Sequence, residues 1–238
     1  MCIRDSNNAG RPITGTDASN PRSYVEPVGT GTTSGNPNGH IIRMREAGNL
    51  PTATTFAWDI YLFGADSTDA NAANVNLSGL TTDNDFSSPD GLWFARPQNP
   101  SGVGRPLLWI QTDDGAFTDR TNCMMLAALP GRVGDGGART ITNTNGTTAT
   151  QATFVGAAAT AATLRRFLVG PVQAEITGVD TTPDGRTVFV GIQHPGENGT
   201  PAAPSSNWPA NQNGAAPGVR PRSAVVAVTR TDGGIVGI

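Results

Sequence analysis

The sequence contains no lysine: all sixteen basic residues are arginine, set against nineteen Asp and Glu, for a net charge of −3. The arginines form no basic stripe, which argues against nucleic acid as a partner. No apolar run approaches the roughly 18 to 20 residues that a membrane-crossing helix needs, so no membrane partner is expected. Nor is there a sustained apolar period of 3.6, which removes long amphipathic helices from consideration. Only two cysteines occur, Cys2 and Cys123, too few for a disulfide framework. Cys123 lies in the apolar run "CMMLAAL" with only Arg120 as a basic neighbour, and reads as a buried inert thiol rather than a reactive one. The usual catalytic signatures are missing too. There is no G-x-S-x-G, no H-E-x-x-H and no paired C-x-x-C, and "SGVGRP" lacks the GK[ST] of a phosphate loop.

What remains is rich in turns. Thirty Gly and eighteen Pro in 238 residues, with 15% charged residues, indicate short elements in one domain or in a piece of a larger one. The first six residues, "MCIRDS", differ in character from the rest and read as translated sequencing adapter. Residues 7–238 would then be the C-terminal part of a single domain. Short β-like runs follow at 40–46, 54–63, 91–95, 107–112, 123–129 and 164–169, then at 175–181, 186–193, 223–230 and 233–238. Two low-complexity stretches, 130–163 and 196–221, are expected as surface excursions between strands that pair.

A repeat connects these runs. "TPDG" at 182–185 echoes "SPDG" at 88–91, but aligning them leaves the flanking strands out of step. Aligning Gln111 of "LLWIQTDD" with Gln193 of "VFVGIQHP", a spacing of 193 − 111 = 82, brings Asp90 within three residues of Glu175, at 175 − 90 = 85. The shared unit is an acid, a strand, a turn and an apolar strand ending in Gln, with two more strands after it. That pattern predicts an all-β fold of about two and three-quarter four-stranded β-propeller blades. The runs at 40–46 and 54–63 supply the third and fourth strands of an earlier blade, with Asn7 and Asn8 closing its second. Asp184 then belongs to an ordinary β-turn, whereas Asp90 stands where the chain enters an innermost strand.

Asp90 and Glu175, equivalent on successive blades, would point at one axial pocket. Two converging carboxylates repel, and a hard multivalent cation relieves both. The alternative is that each acid caps its own strand, and spacing alone does not choose. Gln111, Asp113, Gln193 and His194 would add polar groups on the same face. Asp83 and Asp85 lie in the loop feeding Asp90, as outer support or as a solvated loop. His40 is expected to be structural.

Several long segments together carry a resemblance: "NPNGHIIRMRE", "NVNLSGLTTDNDFSSPDGLWF", "LLWIQTDDGAFTDRTNCMMLAALPG", "LRRFLVGPVQAEITGVDTTPDGRTVFVGIQHPGE" and "RPRSAVVAVTR". Over nearly the whole chain the sequence resembles the PhoX family of alkaline phosphatases. The resemblance implies a six-bladed propeller exported through the twin-arginine route to the periplasm or beyond, monomeric at full length. It implies hydrolysis of small phosphomonoesters at an axial cluster of Ca2+ and Fe3+, with Asp90 and Glu175 matching metal ligands. The family's iron-binding Cys motif and its Arg-Pro-Glu-Trp stretch are not in this sequence. The chain alone is therefore expected to supply one wall of the site and to be inactive. A propeller lactonase or phosphodiesterase, or a non-catalytic calcium-binding propeller, are the alternative functions.

Overall fold

The computed structural model describes residues 2–69, 72–95, 107–113, 115–117, 120–210 and 219–237. Its architecture is all-β. Among the described residues, helix is confined to single turns at Ile13–Gly15, Ala47–Asn49 and Ala72–Val75. Thirteen strands form three sheets among the described residues.

The first sheet contains β1 (Cys2–Ala9), β2 (Tyr24–Val28), β3 (Gly31–Glu46) and β4 (Phe56–Phe63). Both β1 and β2 pair antiparallel with the long β3, and β4 lies along its far side. The second sheet is an antiparallel meander of β5 (Pro89–Phe94), β6 (Leu108–Thr112), β7 (Met124–Ala128) and β10 (Leu164–Val169). The third pairs β11 (Glu175–Thr181), β12 (Thr187–Gln193) and β13 (Ala224–Thr229) in order.

The middle sheet is apolar on both faces, which dictates how the three sheets meet. Along β6 the side chains alternate, as strand geometry requires. Leu108 and Ile110 join a core with Tyr24, Ile41, Leu62 and Phe86. Trp109 points the other way, into a core with Ile176, Val188, Val190 and Ile192 of the third sheet. In β7, Met124 and Leu126 go to the first core and Met125 to the second, with Cys123 beside it. Continuous apolar runs such as "LLWI" and "MMLAA" are what a strand buried on both sides needs, whereas the edge strands β5 and β10 are only half-buried.

Two expectations from the sequence are corrected here. The stretch 130–163 is not a bare surface excursion. It folds as a hairpin, β8 (Gly137–Asn143) with β9 (Ala149–Val155), added to the first sheet by a parallel pairing of Val155 with Ile60 on β4. Its alternate residues Ile141 and Val155 are buried with Ile60, Phe63 and Leu77 in a core of their own. The run 233–238 forms no strand over its described residues. Gly233 and Gly237 take left-handed φ of 71° and 92°, which breaks an extended backbone. Val236 still packs into the second core. In 196–221, Ser206, Asn207 and Trp208 are buried, so part of that stretch also belongs to the fold.

The hairpin is tied down by a buried ion-pair network. Arg43 on β3 and Asp59 on β4 form a two-pronged pair, Nε to Oδ1 at 3.0 Å and Nη2 to Oδ2 at 2.6 Å. Arg43 also donates to the Pro130 carbonyl and to Asp135, and Asp59 accepts from the Gly134 backbone N–H at 2.6 Å. Removing one member leaves an uncompensated charge in a dry interior. Asp59→Ala is expected to lower unfolding free energy by about 3–5 kcal/mol in urea titration, with 134–157 becoming the first segment cut in limited proteolysis.

Candidate metal centre

Asp90 stands at an irregularity in β5. Pro89 pairs with Thr112 and Gly91 with Gln111, so Asp90 is left between two ladder positions and its side chain is exposed. The strand entrance is fixed from behind. Ser88, at φ 45°, donates its backbone N–H to the Asn38 carbonyl at 2.9 Å, and its own carbonyl accepts the Asp113 N–H at 3.2 Å. Gly91 leaves room for the Gln111 side chain: a Cβ there would lie 2.7 Å from Gln111 Oε1 and force that side chain to move. The space lets Gln111 reach across to the third sheet, where its Nε2 donates to the Gly178 carbonyl at 3.1 Å. The second and third sheets are therefore linked next to Asp90.

Glu175 opens β11 opposite Gln193, the last residue of β12. Its carboxylate is largely buried, and the His194 Nε2 lies 3.3 Å from its Oε2. His194 takes a left-handed φ of 35°, with its backbone N–H donated to Ser223 Oγ at 3.0 Å. This turn folds the chain back so that Nδ1 lies 2.6 Å from Glu197 Oε2 without forming a well-directed hydrogen bond. The imidazole thus stands between two carboxylates.

Electrostatics connects the two strand entrances. Burial raises the Glu175 carboxyl pKa, and the charges of Asp113 and Asp90 raise it further, with His194 opposing. Asp113 is raised in the same way, by desolvation and by Asp90, with Glu197 adding and His194 opposing. Asp90, Asp113 and Glu175 therefore sense one another across the gap between the second and third sheets. Beside them lies a cleft of about 380 Å³ lined by Asp113, Asn122, Gln173, His194, Glu197 and Asn198 among others.

Of the residues singled out from sequence, His194 lies beside Glu175, the charges of Asp90 and Asp113 act on Glu175, and Gln111 links the second and third sheets next to Asp90. Gln193 is paired in the ladder with its side chain exposed. Asp85 is committed elsewhere. It is buried, pairs with Arg166 at 2.7 Å and accepts from Ser67 Oγ at 2.7 Å. Asp83 is exposed. His40 is buried 2.8 Å from Asn36 Nδ2, and burial first, then Arg22, push its pKa down to about 3, as a structural histidine requires. Glu197 and Gln173 were missed. The i, i+3 spacing of His194 and Glu197 in the turn "HPGE" was the available signal.

Among the described residues no three His, Cys, Asp or Glu side chains already sit as a metal-binding group. The donor set nonetheless fits a hard cation: three mutually repelling carboxylates and an imidazole, two of the acids held at raised pKa. The family model for alkaline phosphatase PhoX matches residues 3–196.

The chain belongs to the PhoX family of alkaline phosphatases.

Among solved structures, it is similar to Pseudomonas fluorescens PhoX in complex with vanadate, a transition state analogue, at 34% identity and a TM-score of 0.58. The similarity covers 85% of this chain and 28% of that PhoX, so the chain spans less than a third of its length. No curated protein matches. Family membership makes the chain part of a phosphatase family, in which the acidic group at the two strand entrances is the natural place to look for metal.

The raised acids set a pH dependence with a definite sign. An acid whose pKa is higher folded than unfolded keeps its proton longer in the folded state, so stability falls as pH rises out of the carboxylate range. Without added cation, the contribution of these two acids to Tm is expected to fall as pH rises out of the ordinary carboxylate range. Glu175→Gln should flatten that fall, and added Ca2+ should raise Tm more at pH 8 than at pH 4. Calorimetry across pH checks all three.

Proposed function

We propose that the chain is part of a phosphomonoesterase whose catalytic metal cluster is gripped by Asp90 and Glu175. The observation that supports this reading is that the Glu175 and Asp113 carboxyl pKa values are both raised, by burial first and then by neighbouring charge that includes Asp90 at the opening of β5, in a chain of the PhoX family. On this reading the second and third sheets are successive blades of a β-propeller, and the first sheet holds the later strands of the blade before them. Their innermost strands are β5 and β11, which start at the central axis.

Asp90 and Glu175 would hold Ca2+ or Fe3+, with Asp113 adding negative charge at the rim. The chemistry such a cluster supplies when bound is Lewis-acid stabilisation of the charge that develops on a transferring phosphoryl group. The chain's own residues do the rest. Gln111 keeps the two blades in register beside the acids. His194, between Glu175 and Glu197, fixes the orientation of the Glu175 carboxylate, as a second-sphere partner does. The cleft beside Asp113 gives a small phosphomonoester access. Export to the periplasm or beyond and a monomeric full-length protein complete the proposal.

The test uses p-nitrophenyl phosphate with Ca2+ and iron supplied. The 238-residue chain alone is expected to turn over little or nothing, because a single wall of a cluster does not retain it; robust turnover would overturn the proposal. In the full-length enzyme, Asp90→Asn or Glu175→Gln should lower kcat/KM by about 100-fold or more, with loss of bound metal. His194→Ala should cost about 10-fold and leave part of the metal in place.

A further inference from the structure

We propose that Ser88 is a positioning residue for the cation: its left-handed backbone holds Asp90 and Asp113 as one preset pair. The inference deepens the metal reading above and rests on it. Ser88 is buried and takes φ 45°, a region that most L residues avoid and that Gly and Asn enter most readily. Strain of this kind persists only where the surrounding structure over-determines it. Here it lies two residues before Asp90, with only Pro89, whose ring fixes φ, between them. Across the ladder, the Ser88 carbonyl accepts the Asp113 N–H at 3.2 Å. One residue therefore sets the backbone of both acids, one along the chain and one across it.

The surroundings over-determine Ser88. Its N–H donates to the Asn38 carbonyl at 2.9 Å and its hydroxyl to the Pro37 carbonyl at 3.2 Å, with the Ser87 hydroxyl 3.1 Å away. The Asn38 acceptor is itself held. Its backbone N–H and its Nδ2 both donate to the buried Tyr24 hydroxyl, at 3.3 and 2.7 Å. The exit of β4 packs against the same point. A Cβ on Gly64 would overlap the Asn38 carbonyl oxygen and lie 2.9 Å from that of Phe86, while the Ala65 N–H donates to the Phe86 carbonyl at 2.8 Å. Residues 37–39, 64–65 and 86–88 thus close around one strained serine.

A bulge alone explains a kink in β5, where Pro89 pairs with Thr112 and Gly91 with Gln111. It does not explain why the left-handed residue stands where two repelling acids are joined. Burial raises the Asp113 carboxyl pKa, and the charge of Asp90 raises it further. Both side chains are exposed, and on a loose backbone they would move apart to relieve that repulsion. Tying both backbones to Ser88 denies them part of this freedom, so a cation meets a pair already gathered. Preorganisation of this kind lowers the ordering cost of binding. Its effect is on affinity for the cation more than on fold stability.

The test separates backbone from hydroxyl in the metal-stripped full-length enzyme, by equilibrium dialysis against Ca2+ with Tm recorded alongside. Ser88→Thr keeps the hydroxyl but branches at Cβ, which the left-handed region tolerates poorly. It is expected to bind Ca2+ about 10-fold more weakly. Ser88→Gly loses the hydroxyl but accepts a positive φ freely, and should stay within about 3-fold of the parent. Ser88→Ala gives the same comparison without added bulk and should bind several-fold more weakly than Ser88→Gly. A Ser88 that serves the fold alone would lower Tm in these variants with Ca2+ affinity unchanged. That result, or a loss in Ser88→Gly as large as in Ser88→Thr and Ser88→Ala, would overturn the proposal. Asp90→Asn is measured in parallel. Lost affinity there beside parental affinity in the Ser88 variants overturns this inference alone; parental affinity in Asp90→Asn overturns the metal reading and this inference with it.

Discussion

Burial of the second sheet on both faces is the constraint from which the rest follows. A strand such as "LLWI" has nowhere to turn a polar side. Leu108 and Ile110 must be covered by one layer and Trp109 by another. The chain answers by stacking its three sheets face against face, with the cores on either side contributed by Phe86, Ile41 and Leu62 in one direction and by Ile176, Val188 and Val190 in the other. Once the sheets are so stacked, the openings of β5 and β11 lie side by side. Asp90 and Glu175 then share an electrostatic environment although 85 residues separate them, 175 − 90. The acidic group is thus a consequence of apolar packing, not of any local motif.

That origin explains what could be read from sequence. The paired strands of the second and third sheets were visible because their alternation is strong and because Gln111 and Gln193 mark equivalent ends. The expectation that Asp90 and Glu175 act together came from the same alignment; in the structure the charges of Asp90 and Asp113 act on Glu175, and His194 lies beside it. The β8–β9 hairpin was not visible. Its strands are built from Thr, Ala and Gln with few large apolar residues, so composition suggested low complexity. Yet Thr140, Thr142, Thr150 and Thr153 are good strand formers, and "NTNG" is a turn signal. The run "GGIVGI" failed the other way, because its glycines permit left-handed turns that periodicity does not register.

The acids at the strand entrances and the buried Glu26 of β2 differ in their physics. At Asp90 and Glu175 the charges stand at strand entrances, partly open to water, with a cleft leading to them. At Glu26 the carboxyl is buried in the first sheet, and desolvation is the main cause of its raised pKa. The first arrangement suits exchange with solutes; the second belongs to the interior of the sheet that carries Asn38, whose carbonyl holds Ser88 at the entrance to β5.

The added hairpin has a further effect. Strand β4, "FAWDIYLF", is apolar over most of its length, and left bare on its outer side it would be a template for other chains. The Gly156 N–H donates to the Ile60 carbonyl at 2.8 Å, and the pairing of Val155 with Ile60 covers the middle of that side. What faces outward instead is β8, short, threonine-rich and bearing Arg139, a poor nucleus for edge-to-edge association. The insertion thereby acts as a guard against aggregation, and its loss would be felt first as insolubility during synthesis.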